Sequence, residues 1–171
     1  MSTTSLRTDE AFMQLALDEA RSCTETGDVP VGAVIVRGDE VLASAGNGRE
    51  RFQDPTAHAE VLSLRAAARR TGSWRLDGCT LFVTLEPCAM CAGAIVLARV
   101  KRVVFGAADP KAGFAGSLGD LVRDPRLNHW VELTSGVLAE ESGDLLRDFF
   151  RSRRSVEGTR PSVQSSDGSP V

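Results

Sequence analysis

Phe12, Leu15, Ala16, Ala20 and Cys23 recur at helical spacing near the start of the chain and form one apolar stripe. Asp9 is placed to cap that helix and Gly27 to close it. Residues 29–36 are apolar and rich in β-branched side chains, which predicts a strand. The polar run Arg37-Gly38-Asp39-Glu40 turns the chain into a second strand over 41–45, making a hairpin. A polar loop over 47–55 leads to a helix from near Ala57 to Gly72. Its Val61, Leu62, Leu64, Ala67 and Ala68 suit a face laid on a sheet. A buried strand over 80–85 is followed by Pro87 and a helix over 88–98, then a strand over 102–105. The Gly-rich segment 106–119 is too elaborate for a simple connector, and such loops often carry function. A fifth strand over 130–134 and a helix from 138 to about 154 complete the pattern.

Strand-helix-strand stretches favour parallel neighbours, and the opening hairpin adds an antiparallel pair. The expected fold is therefore α/β, a three-layer α/β/α sandwich around a five-stranded mixed sheet. At 171 residues the chain fits one domain, read as 1–157. The remainder, 158–171, is rich in Ser, Gly and Pro and reads as a disordered tail. Residues 1–10 hold no apolar signal segment, and no apolar run approaches the roughly 20 residues that span a bilayer. A cytoplasmic protein with no membrane partner is the expectation. The net charge of −3 argues against indiscriminate nucleic-acid binding but leaves room for a local basic surface.

Two short motifs carry the candidate chemistry, His58-Ala59-Glu60 and Pro87-Cys88-Ala89-Met90-Cys91, each at the start of a predicted helix. Cys88 and Cys91 stand three residues apart, so both thiols can meet one metal, and the helix dipole favours thiolate there. One His and two Cys give three protein ligands. That number fits a catalytic zinc with an open fourth place better than a closed structural site. Two thiolates formally neutralise Zn²⁺, leaving it a weak acidifier of water, so a nearby carboxylate is useful as proton acceptor. Glu60 can supply it. Because i and i+2 point roughly opposite ways in a regular helix, His58 and Glu60 can converge only at the helix mouth. Taken alone, the C-x-x-C pair equally suits thiol redox chemistry, and a zinc-stabilised binding module would need no Glu60. Cys23 and Cys79 read as small buried hydrophobes and His129 as structural.

With these motifs the chain resembles the cytidine deaminase-like superfamily, whose established signature they reproduce. Within it the chain is similar to the bacterial tRNA-specific adenosine deaminase family. The resemblance runs from about Phe12 to Arg154. It includes Val29-Pro30-Val31-Gly32-Ala33-Val34, the approach Asp54-Pro55-Thr56-Ala57 to His58, and Thr84-Leu85-Glu86 before Pro87. It implies one zinc per subunit on His58, Cys88 and Cys91, and Glu60 as proton shuttle. The implied reaction is hydrolytic conversion of the wobble adenosine of a tRNA anticodon to inosine. Ala59 would support the intermediate through its N–H, and Asn47 would contact the flipped base. Asp109 and Lys111 would contact neighbouring nucleotides. Phe149 and Arg151, in the aromatic and basic end of the last helix, can stack bases and pair phosphates. The anticodon stem-loop, with an ACG-anticodon arginine tRNA foremost, and a second copy in a homodimer are the implied partners. A free-base deaminase of the same superfamily is the rival reading. Ala108 and Phe114 depart from the family pattern in the long loop, and this bears on tRNA contacts rather than on the metal.

Overall fold

The computed structural model describes residues 8–157; the predicted tail, 158–171, lies outside them. A five-stranded sheet in the order β2-β1-β3-β4-β5 is built from β1 (Gly32–Arg37), β2 (Glu40–Gly46), β3 (Cys79–Leu85), β4 (Arg102–Ala107) and β5 (Glu132–Ser135). β1 pairs antiparallel with both β2 and β3, whereas β3, β4 and β5 run parallel. Successive strand residues face opposite ways, so each sheet face gathers its own core. Ile35, Leu81, Val83 and Val103 point to one side, where they meet Leu64 and Ala67 of α3 (Ala59–Thr71) and Ile95 of α4 (Ala89–Leu97). Val34, Phe82 and Val104 point to the other, against Phe12, Met13 and Ala16 of α1 (Asp9–Ser22). A short α2 (Arg49–Phe52) follows β2, and α5 (Ala139–Glu157) covers the second face beside α1. The expected sandwich is the observed one.

Several boundaries differ from the sequence reading. Thr8, not Asp9, caps α1: its hydroxyl accepts the Ala11 N–H at 3.2 Å. Asp9 instead pairs with Arg102 at 2.6 and 2.9 Å. The buried stripe of α1 includes Met13 and Leu17, and Leu15 lies at its half-buried margin. β1 begins at Gly32 rather than at 29 because Pro30 has no N–H for a ladder. Residues 29–31 form a tight turn instead, with the Val31 N–H donating to the Val29 carbonyl at 2.8 Å. The loop predicted over 47–55 contains α2, and the strand predicted from Trp130 starts at Glu132, leaving Trp130 exposed. Gly32 allows the closest approach between layers. A Cβ there would stand 1.9 Å from the Ala16 carbonyl oxygen of α1.

Candidate active site

α3 begins at Ala59, two residues later than the pattern suggested, and the delay settles how His58 and Glu60 meet. His58 is the N-cap, with extended backbone (φ −75°, ψ 150°), so its ring is not bound to the helical face opposite Glu60. The turn before it is shaped by Asp54, whose carboxylate accepts the Thr56 N–H and hydroxyl at 2.8 and 2.7 Å. Cys88 caps α4 in the same extended way (φ −73°, ψ 174°), with Cys91 in the first turn. The two helix starts converge on one point. His58 Nδ1 lies 3.7 Å from Cys88 Sγ and 3.5 Å from Cys91 Sγ, and the three ligand atoms fall within 4.8 Å of one another.

A tetrahedral zinc with about 2.3 Å to sulfur and about 2.0 Å to nitrogen separates such ligands by roughly 3.6 Å. The observed separations fit that spacing, so the residues present can hold the ion. Cys88 is pulled down to about 3, chiefly by the hydrogen bond with Cys91 and, against its burial, by the His58 ring. The same bond, then burial, pushes Cys91 above the ordinary thiol range. Glu60 is only 4 % exposed. Burial pushes its carboxyl up to about 7, against the pull of its own N–H and of His58. A carboxyl in that range can take up and return a proton near neutral pH.

Above these groups is a cavity of about 200 Å³, bordered by Asn47, His58, Ala59, Glu60, Cys88 and Asp109. Pockets for drug-sized molecules run about 300–1,000 Å³, so this one suits a single flat base better. Val29 and Val31 supply an apolar wall, and Arg49 stands at the rim. Asn47 is fixed by its Nδ2, which donates to the Val29 carbonyl at 3.3 Å. Ala59 opens α3, where the first N–H groups have no intrahelical acceptor.

Lys111 and Arg151 meet elsewhere, in a groove shared with Leu146, Arg147, Phe150 and Arg154. Phe149 is not part of that groove. Its ring is covered by the Arg153 guanidinium at 4.8 Å and meets Phe150 edge-on at 5.4 Å. Phe150, 44 % exposed, is the aromatic side chain the groove presents. His129 Nε2 donates to the Val100 carbonyl at 2.7 Å, as a structural residue would. Cys23 and Cys79 are buried and stand outside the ligand cluster, and the Cys23 thiol backs the cavity wall by donating to the Val29 carbonyl at 3.4 Å.

Sequence reasoning missed two carboxylates. Asp28 is fully buried and accepts the Glu50 and Arg51 N–H groups at 2.8 and 3.2 Å, holding α2 and with it the rim. Glu86, seen in sequence only as part of the motif before Pro87, faces the long loop with its side chain. Each stands beside an apolar run of the sequence, which was the available signal.

A mixed sheet with two helix starts meeting at a His-Cys-Cys cluster is the architecture of the cytidine deaminase-like proteins. The model of the MafB19-like deaminase family matches residues 7–154, and the chain belongs to that family. It is 53% identical over 146 residues to the tRNA-specific adenosine deaminase of Bacillus subtilis, covering 85% of this chain and 91% of that one. To the enzyme of the same description from Aquifex aeolicus it is 46% identical over 145 residues, covering 85% and 95%. A solved structure from a study of A-to-I editing by tRNA:A34 deaminases superposes with a TM-score of 0.76 at 45% identity, covering 79% of this chain and 98% of that one. The guanine deaminase of Nitrosomonas europaea shares the fold, with a TM-score of 0.74 at 23% identity over 84% of this chain and 85% of its own.

Proposed function

We propose that this deaminase acts on the wobble adenosine of a tRNA anticodon, converting it to inosine with release of ammonia, and that His58, Cys88 and Cys91 hold one zinc ion. The observation that carries the reaction class is the buried Glu60 beside the His-Cys-Cys cluster at the floor of a base-sized cavity. The relatives named above support the choice of substrate. Zinc, when bound, supplies an activated water as nucleophile. Glu60 would accept a proton from the attacking water and deliver it to N1 of the ring, then carry the proton of the new C6 hydroxyl to the amino group, which leaves as ammonia. At C6 a C–O bond forms and the C–N bond to the amino group breaks. The Ala59 N–H donates to the oxygen that gains charge at C6. Asn47, with one Nδ2 hydrogen committed to Val29, has its amide oxygen and its second N–H for the base.

Anticodon-loop bases are partly unstacked, so extruding one into the cavity costs little. Lys111, Arg147, Arg151 and Arg154 border the groove that receives backbone phosphates, and Phe150 takes the stacking role expected of Phe149. Asp109, at the junction of cavity and loop, contacts the neighbouring nucleotide. The ACG-anticodon arginine tRNA is the expected substrate. A homodimer is proposed as well. Exposed Trp74 and Leu97 border an apolar depression between α3 and α4, the kind of surface a second copy covers. No helix among the described residues is long and apolar enough to cross a membrane, and the cytoplasm is the proposed site of action.

The test is incubation of the zinc-loaded protein with that arginine tRNA, reading inosine at the wobble position by sequencing. Glu60→Gln should abolish product while metal analysis still finds one zinc per chain. Turnover of free guanine or cytosine with no inosine in tRNA would replace the proposed substrate. Light scattering should give twice the chain mass.

A further inference from the structure

The reaction leaves two buried carboxylates unused, Asp28, which holds α2, and Glu86. Glu86 is 2 % exposed, between the end of β3 and the metal-binding cluster. Its oxygens accept four hydrogen bonds from the segment 109–117. Oε2 takes the Asp109 N–H at 2.9 Å and the Ser117 hydroxyl. Oε1 takes the N–H groups of Ala115 and Ser117 at 3.0 and 2.9 Å. Gly113 is pressed against the same group: a Cβ there would stand 2.3 Å from Glu86 Cδ. Around this contact the Phe114 N–H donates to the Pro87 carbonyl at 2.8 Å, and Gly113 bridges to Cys88. The segment thus folds over one charge rather than over an apolar core of its own.

That segment serves both parts of the binding surface. Asp109 and Ala112 line the cavity, and Lys111 lines the arginine groove of α5. The Asp109 carboxylate in turn accepts the Lys111 and Ala112 N–H groups at 3.0 and 3.2 Å, so the turn carrying Lys111 hangs from the residue that Glu86 grips. Buried N–H donors turned toward a common point are costly to leave unpaired. We propose that Glu86 is a positioning residue for substrate recognition, the template on which segment 109–117 takes the shape that joins cavity to groove. The proposal rests on the tRNA reading above for its substrate, but not for its structural half.

Glu86→Gln is the discriminating variant, since an amide keeps the shape but sets an N–H donor against the donors of the loop. Ser117→Ala removes one of the four bonds and serves as a milder second variant. For Glu86→Gln, zinc content should stay at one per chain and KM for tRNA should rise about tenfold, with kcat within about threefold. Hydrogen–deuterium exchange should show protection lost at 109–117 and retained in the sheet. Ser117→Ala should move KM and protection the same way by a smaller factor, and it decides the matter if Glu86→Gln does not fold. Unchanged protection in the loop, or a fall in kcat at constant KM, overturns the proposal. Exchange needs no substrate. A wild-type protein silent on tRNA therefore removes the proposed substrate, whereas unaltered protection in the variants removes the role of Glu86 alone.

Discussion

His58 and Cys88 owe their positions to the same backbone device, an extended N-cap that swings a ligand off the helix it introduces. Their convergence with Cys91 was legible in sequence because candidate ligand chemistry is written in residue type and short spacing. Asp28 and Glu86 were not, because their partners lie about two to three dozen residues away, at Glu50–Arg51 and 109–117. Gly32 was visible only as part of a motif, and its reason is steric. Gly32→Ala would drive a methyl into the Ala16 carbonyl, so destabilisation of about 1–3 kcal/mol is expected, read as a lower urea midpoint. Asp54 gives a titration prediction. The Thr56 hydroxyl first, and then its N–H, hold this carboxyl below its ordinary 3.8. A lowered folded value contributes stability above pH 3.8 that is lost as pH falls through the folded value. The Thr56 amide resonance should accordingly titrate with a midpoint below 3.8.

Among the elements, strands and long helices followed the alternation and helical periods closely, since each buries one well-defined face. The short α2 escaped notice because its cap comes from Asp28, beyond a whole hairpin, rather than from a neighbouring residue. α5 shows the limit of composition: Phe149 and Phe150 are adjacent, and only packing says that Arg153 covers the first ring. Its Arg147 and Arg151 sit in exposed pairs with Asp144 and Asp148. Exposed pairs are worth about 0–1 kcal/mol, so phosphates can displace the carboxylates. Arg151→Ala should weaken tRNA binding and reduce the salt-dependence slope by about one, with kcat at saturation nearly unchanged. Fluorescence anisotropy across a salt series reads this. A slope equal to wild type would place Arg151 outside the phosphate track.

For the molecule as a whole, both sheet faces are apolar and share the same strands, so damage to either side is felt throughout. Phe82 is buried on the α1 side and stacks on Phe12 at 5.1 Å. Phe82→Ala should cost about 3–5 kcal/mol in denaturant unfolding. Bound zinc would add a second link, since His58, Cys88 and Cys91 stand at the starts of α3 and α4. Removal of zinc by a chelator should abolish deamination and lower the melting temperature, and zinc should restore both. Restoration of the melting temperature alone would separate the structural link from catalysis.

The cavity is assembled from two kinds of material. Its base comes from two helix ends that need each other to complete the ligand set, whereas its sides come from the turn at 29–31, the rim at Asn47 and Arg49, and the loop at 109–112. Substitutions in the sides leave the ligand residues themselves in place, although the loop that follows Asp109 is bonded to Pro87 and Cys88. Such a division makes the protein a natural starting point for directed evolution: libraries confined to those three stretches can explore which nucleobases enter while His58, Glu60, Cys88 and Cys91 are kept.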